Sequence, residues 1–122
     1  MLGHISFGVI DLAGSMAFYD ATLAPLGIVR VWTDTDAAGY GRPGGGDKFA
    51  IKRRDDTRVP GPGFHLAFNA PNHAAVDAFY RAALATGGRD NGAPGLRPHY
   101  GPTYYAAFVF DPDGYALEAV RQ

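Results

Sequence analysis

The chain has no cysteine, which excludes a disulfide framework and a thiol nucleophile. No apolar run approaches the roughly 18 residues that cross a bilayer, and no basic segment leading into an apolar one opens the sequence. Charge is sparse: 19% of residues are charged and the formal net charge is −1. That balance excludes the basic surface nucleic acid requires and the one-sided charge of a disordered chain. These absences predict a soluble, cytoplasmic protein whose partner is a small molecule, with no nucleic acid and no membrane. The least common acid is the most informative residue: eleven aspartates are present but one glutamate, Glu118.

With 122 residues, 47% of them hydrophobic, the chain fits one domain that buries about two-thirds of its unfolded surface. Sliding the sequence against itself by half its length, 61 residues, exposes a repeat. His4-Ile-Ser-Phe7 falls on His65-Leu-Ala-Phe68, and Ala17-Phe18-Tyr19 on Ala78-Phe79-Tyr80. Ala13, Ala21, Leu23, Ala24 and Gly27 meet Ala74, Ala82, Leu84, Ala85 and Gly88. Alanine inflates this agreement; the histidine, aromatic and leucine matches do not come cheaply. The reading is a duplicated module, the first about residues 1–59 and the second about 60–122, forming one domain with one continuous sheet system.

Each module opens with a short strand leading into a helix. Leu12, Met16, Tyr19, Leu23 and Leu26 mark the first helix, with Asp11 as its cap; Val76, Tyr80, Ala83 and Leu84 mark the second, capped by Asn72. Both helices end near glycine, at Gly27 and Gly87-Gly88. Residues 28–33, 39–42 and 48–52 read as strands of the first module. In the second, residues 104–110 and 115–120 read as a hairpin closed by Asp111-Pro-Asp-Gly114. Residues 88–102, rich in Gly, Pro and Arg, read as a loop with a brief strand near Arg89. Gly39-Tyr-Gly-Arg-Pro-Gly44 matches G-x-G-x-x-G, but no helix follows it, so the glycines are assigned to a hairpin rather than a dinucleotide site.

Glu118 lies in the apolar strand Tyr115-Ala-Leu-Glu-Ala-Val120. A carboxylate taken from water costs several kcal/mol unless a cation or hydrogen bonds compensate. Either Glu118 faces solvent or pairs with Arg121 or Arg30, or it meets a metal ion.

Taken together, His4-Ile-Ser-Phe-Gly-Val-Ile-Asp-Leu12, Ala17-Phe-Tyr19, Gly63-Phe-His-Leu-Ala-Phe68 and Phe110-Asp-Pro-Asp-Gly-Tyr-Ala-Leu-Glu118 resemble the vicinal oxygen chelate superfamily, the glyoxalase, bleomycin-resistance and extradiol-dioxygenase group. The resemblance covers essentially the whole chain. It implies an α+β fold of tandem βαβββ modules whose mixed sheets curl around a cleft. It also implies a divalent metal, Zn, Mn, Fe or Ni, on His4, His65 and Glu118, a set that leaves positions open for water and substrate. It implies a homodimer as well, in some members with His4 from one chain and His65 with Glu118 from the other.

Aligning Asp47–Lys52 with Asp113–Glu118 puts Lys52 where glyoxalase I-like members carry a fourth ligand, so that isomerase reaction is disfavoured. Lys52 is either a solvated strand-end lysine or an anion contact. Around the unassigned loop, Arg97 and Tyr104 are candidate substrate contacts and His99 and Tyr105 candidate acid-base groups. Tyr104 and Tyr105 point to opposite sides of a strand, so at most one faces the cleft. Trp32 and Tyr40 are assigned to packing or pocket wall rather than to chemistry, and His73 to the surface. The expected function is a metal-dependent lyase or dioxygenase acting on a small oxygen-rich substrate. The alternative is a metal-free drug-binding protein of the same superfamily.

Overall fold

The computed structural model describes residues 1–122. In the first module β1 (Ile5–Val9) leads into α1 (Leu12–Leu23), followed by β2 (Val29–Thr33), β3 (Ala37–Gly41) and β4 (Asp47–Arg53). In the second β5 (Leu66–Asn69) leads into α2 (His73–Ala85), followed by β6 (Arg89–Asp90), β7 (Gly95–Leu96), β8 (Tyr105–Phe110) and β9 (Ala116–Arg121). No helix is long and apolar enough to cross a membrane.

Both helix starts follow from their caps. The Asp11 carboxylate accepts the Gly14 N–H at 3.1 Å and the Asn72 carbonyl oxygen accepts the Ala75 N–H at 2.8 Å, each worth about 1 kcal/mol. The first helix stops three residues earlier than its leucine spacing suggests. Pro25 has no N–H for the ladder, so Ala24–Leu26 tighten into a 3-10 turn that closes on Gly27 at φ 79°. A side chain there would be strained. At the equivalent position of the second module a different constraint selects glycine: a Cβ on Gly88 would lie 2.7 Å from the Phe18 ring and 2.8 Å from the Ala83 and Phe110 carbonyl oxygens.

The strands form two sheets, ordered β1-β4-β3-β2 and β5-β9-β8-β6, with β7 added to β8. The expected continuous sheet system is therefore not formed, because β1 and β5 each end their own sheet and do not pair with each other. The modules join through side chains instead. Phe7, Val9, Phe49 and Ile51 from the first sheet, Phe68, Val109, Leu117 and Ala119 from the second, and Phe18, Tyr19, Val76 and Phe79 from the helices belong to one buried cluster. At its centre Phe7 stacks on Tyr115 with ring centroids 4.0 Å apart, and the Tyr115 hydroxyl donates to the Gly8 carbonyl at 2.8 Å. The faces turned toward this cluster are the back faces of the sheets; the front faces point away from it.

The Asp111-Pro-Asp-Gly114 turn is part of that join. One Asp111 oxygen accepts the N–H groups of Asp113, Gly114 and Tyr115, each at 2.9 Å, while the other accepts the Tyr19 hydroxyl at 2.5 Å. Asp113 accepts the Ile10 N–H at 3.1 Å. The hairpin tip of one module is thus tied to the helix and strand of the other.

Burial raises the Asp111 carboxyl above the ordinary 3.8, against the lowering effect of its hydrogen bonds. Above 3.8 and below that raised value the folded chain holds a proton the unfolded chain has lost, so stability falls as pH rises through the window. Asp111→Asn keeps an acceptor for the three N–H groups but cannot titrate, and is expected to lack this slope in denaturation series from about pH 3 to 7. Asp111→Ala is expected to cost about 2–4 kcal/mol at every pH by leaving buried donors unpaired.

Candidate functional site

Strand register decides which side chains share the front face of the second sheet. Across the β8-β9 hairpin Phe108 pairs with Glu118 and Ala106 with Val120, and across the parallel pair Ala67 sits opposite Glu118. Partners across a ladder lie on one side, and alternate residues along a strand do too. Glu118, Phe108 and Phe110 therefore share the front face, and alternation places His65 and Tyr104 beside them.

Glu118 is only 1% exposed, which decides against the solvent-facing reading. Neither Arg121 nor Arg30 compensates it. One carboxylate oxygen lies 2.9 Å from His65 Nε2 and the other accepts the Tyr104 hydroxyl at 2.5 Å. Burial, then the hydrogen bond to Glu118 and its charge, push the Tyr104 phenol up to about 12. Tyr104 is therefore a hydrogen-bond donor at neutral pH, not a base. The His65 side chain is 49% exposed, so the pair has one leg in the core and one in solvent. This arrangement can bind and orient a polar ligand at His65 and hold or pass a proton along the carboxylate.

Of the two adjacent tyrosines, Tyr104 faces the site and Tyr105 does not. The Tyr105 hydroxyl donates to Asp77 on α2 at 2.6 Å, and its ring stacks on His73 at 3.9 Å. The acid-base role expected of Tyr105 is not supported, because strand alternation sends it to the helix side. His99 meets Tyr100 at a tilt of 39° with ring centroids 4.1 Å apart, and Tyr100 meets Tyr104 at 57° and 5.2 Å, which places His99 two rings from the carboxylate. Arg97 belongs to the site's border: its guanidinium lies 5.4 Å from the centroid of Phe108, and Phe108 meets His65 edge-on at 6.1 Å. Phe108 was not among the sequence candidates. Counting back across the Asp111–Gly114 turn from Glu118 would have found it.

The first sheet holds the other candidates. In β1-β4 the pairs are Ser6 with Ala50 and Gly8 with Lys52, whereas Ala67, the repeat equivalent of Ser6, pairs with Glu118. Ala50, not Lys52, is therefore the counterpart of Glu118, a correction to the ungapped alignment of the two strands. Alanine offers no ligand atom either, so the first module still supplies no carboxylate there. Lys52 lies on the exposed front face of its own sheet, two residues further along. Trp32 lies across Gly39 on this sheet, where an added Cβ would be 2.0 Å from the indole nitrogen. Tyr40 is fully buried, as expected of packing.

His4 immediately precedes β1 and is not brought to Glu118. It borders a groove of about 810 Å³ lined also by Leu26, Tyr40, Phe49, Leu66 and Phe68, which neither His65 nor Glu118 lines. Within a single chain no three His, Asp or Glu side chains come together to hold a metal ion. His65 and Glu118 make two donors of the implied three, and both Glu118 oxygens already have partners.

A model of the Glyoxalase/Bleomycin resistance protein/Dioxygenase superfamily matches residues 1–119. Among solved structures, a glyoxalase/bleomycin resistance protein from Albidiferax ferrireducens is 34% identical, with 98% of this chain and 97% of that one covered and a TM-score of 0.85. A glyoxalase-related enzyme from Fulvimarina pelagi is 22% identical, with coverage of 98% and 86% and a TM-score of 0.76. A glyoxalase I mutant from Zea mays is 20% identical, with 96% of this chain but 44% of that one covered and a TM-score of 0.72. The last two share the fold. No curated protein matches the sequence.

Tyr104→Phe removes the partner of one buried Glu118 oxygen and is expected to cost about 1–3 kcal/mol in denaturant unfolding. Tyr105→Phe, whose hydroxyl meets Asp77 nearer to solvent, is expected to cost distinctly less. Equal losses would contradict the assignment of Tyr104 to the front face.

Proposed function

Because the chain belongs to the glyoxalase/bleomycin resistance protein/dioxygenase superfamily, we propose that it is a divalent-metal-dependent enzyme acting on a small oxygen-rich substrate, with His65 and Glu118 at its reaction centre. The observation carrying this reading is the nearly inaccessible carboxylate set 2.9 Å from a half-exposed imidazole on an open sheet face. A carboxylate buried for structure alone is ordinarily compensated from within the core, whereas one of the partners here is an imidazole that solvent can reach. Carboxylate and neutral imidazole are also a donor set that Zn, Mn, Fe and Ni accept.

The third donor must come from elsewhere. His4 occupies on the first sheet the position His65 occupies on the second, and both front faces point away from the shared core. A homodimer that sets the first sheet of one copy against the second sheet of its partner would bring His4 to His65 and Glu118. The chemistry a divalent ion supplies when bound in such a site is polarisation of a substrate oxygen. The chain's own part is to orient Glu118 through the Tyr104 hydroxyl and to present His65 to the substrate side.

A metal-free small-molecule binding protein is the second reading, favoured by the satisfied state of Glu118 within one chain: both of its oxygens have partners without an ion. Metal analysis of untagged protein separates the two, combined with measurement of the oligomeric state. Stoichiometric metal in a wild-type dimer, lost in His4→Ala, His65→Ala and Glu118→Ala, is the expected result. Protein that stays metal-free after incubation with Mn, Fe, Zn and Ni, with an unchanged melting temperature, would overturn the enzyme reading.

A further inference from the structure

Arg97 is a cation held in place without an anion. It forms none of the ion pairs that occupy Arg30, Arg53 and Arg54. Its environment nevertheless fixes it from three sides. The guanidinium lies over the Phe108 ring at 5.4 Å, its Nη2 donates to the Ala93 carbonyl at 2.7 Å, and the loop passes close enough that a Cβ on Gly92 would be 3.3 Å from Nη2 and one on Gly95 3.2 Å from Nη1. Ordering an arginine costs about 1.5–2 kcal/mol of side-chain entropy. A guanidinium held over a ring with one N–H engaged still carries further donors in its own plane, the arrangement that can meet a carboxylate with two bonds.

No carboxylate comes within ion-pair distance of Arg97. Asp90 accepts from the Tyr80 hydroxyl and the Gly92 N–H, and Asp77 from Tyr105. The backbone N–H of Arg97 donates to the Tyr104 carbonyl at 2.8 Å, extending the β7-β8 ladder by one pair and placing both side chains on the front face. Between them the loop turns back through Tyr100, 61% exposed and packed against the Tyr104 ring. A free cation fork, an accessible aromatic ring and the His65-Glu118 pair thus lie side by side on one surface.

We propose that this border is the recognition end of the site and takes a small planar carboxylate, its anionic group on the Arg97 fork and its flat body against Tyr100. This rests on the reading of His65 and Glu118 as the reaction centre, to which it adds the class of substrate.

Benzoate is the probe, with benzamide as its neutral isostere and acetate as the anion without a ring. Each is titrated by ligand-observed NMR into wild-type protein, as isolated and after chelator treatment, and into Arg97→Met, Arg97→Lys, Tyr100→Ala and the remote control Arg81→Met. Saturable benzoate binding is expected to be at least about tenfold tighter than that of benzamide or acetate. Arg97→Met is expected to lose that preference, Arg97→Lys to keep part of it, Tyr100→Ala to weaken both ring compounds, and Arg81→Met to match wild type. The proposal is overturned if wild type shows no saturable benzoate binding, if Arg97→Met binds benzoate as wild type does, or if it loses benzamide equally, the signature of a collapsed loop. Benzoate binding that depends on Arg97 in protein that never takes up metal would overturn the metal reading alone. Metal uptake without Arg97 dependence would overturn only the carboxylate subsite.

Discussion

The stacking of Phe7 on Tyr115, closed by the hydrogen bond from the Tyr115 hydroxyl to Gly8, is where two half-length modules become one body. Each module has a sheet too small to bury its helix and its own apolar face alone. Sharing one core solves that, and Asp111 locks the arrangement by tying the tip of the last hairpin to Tyr19. The solution has a geometric consequence. Once the back faces are committed to each other, the front faces must look outward, and His4 and His65, equivalent in the repeat, end on different surfaces of the chain.

That outward arrangement explains why His4 stays apart while the pair on the second sheet is organised. Glu118 sits in the middle of its sheet with neighbours on both sides, so its carboxylate is out of water even on an open face. The Tyr104 hydroxyl and the His65 imidazole beside the carboxylate offset the desolvation. An aspartate at this position would fall one methylene short of reaching both His65 and Tyr104, which gives a physical reason for the chain's single glutamate to be here. Around it the polarity is graded: a buried carboxylate, a phenol that keeps its proton, a half-exposed imidazole, then the aromatic and guanidinium border.

The half-length repeat, the two capped helices and the closing hairpin were all legible in the residues. Each depends on local chemistry or on a period short enough to count: Asp11 and Asn72 take up N–H groups within their own first turn, and Asp111 organises the turn it begins. The helix end at Pro25 was also available, since a missing N–H cannot be restored by context, but the regular spacing of Leu23 and Leu26 pointed past it. The choice between Tyr104 and Tyr105 was half legible. Alternation required them to diverge, and only the register of β8 on β9 said which one met Glu118.

By itself the sequence determined the two modules, the elements within them and the strand that carries Glu118, because periodicity, capping and turn chemistry act over a few residues. Tertiary structure alone decided that the sheets stay separate, that Ala50 rather than Lys52 matches Glu118, and that His65 and Tyr104 converge on its carboxylate while His4 stays apart. Those outcomes depend on ladder register and on which faces share a core. Both are set by packing between segments far apart in the chain, where a shift of one residue reverses every side chain and no local spacing records the choice.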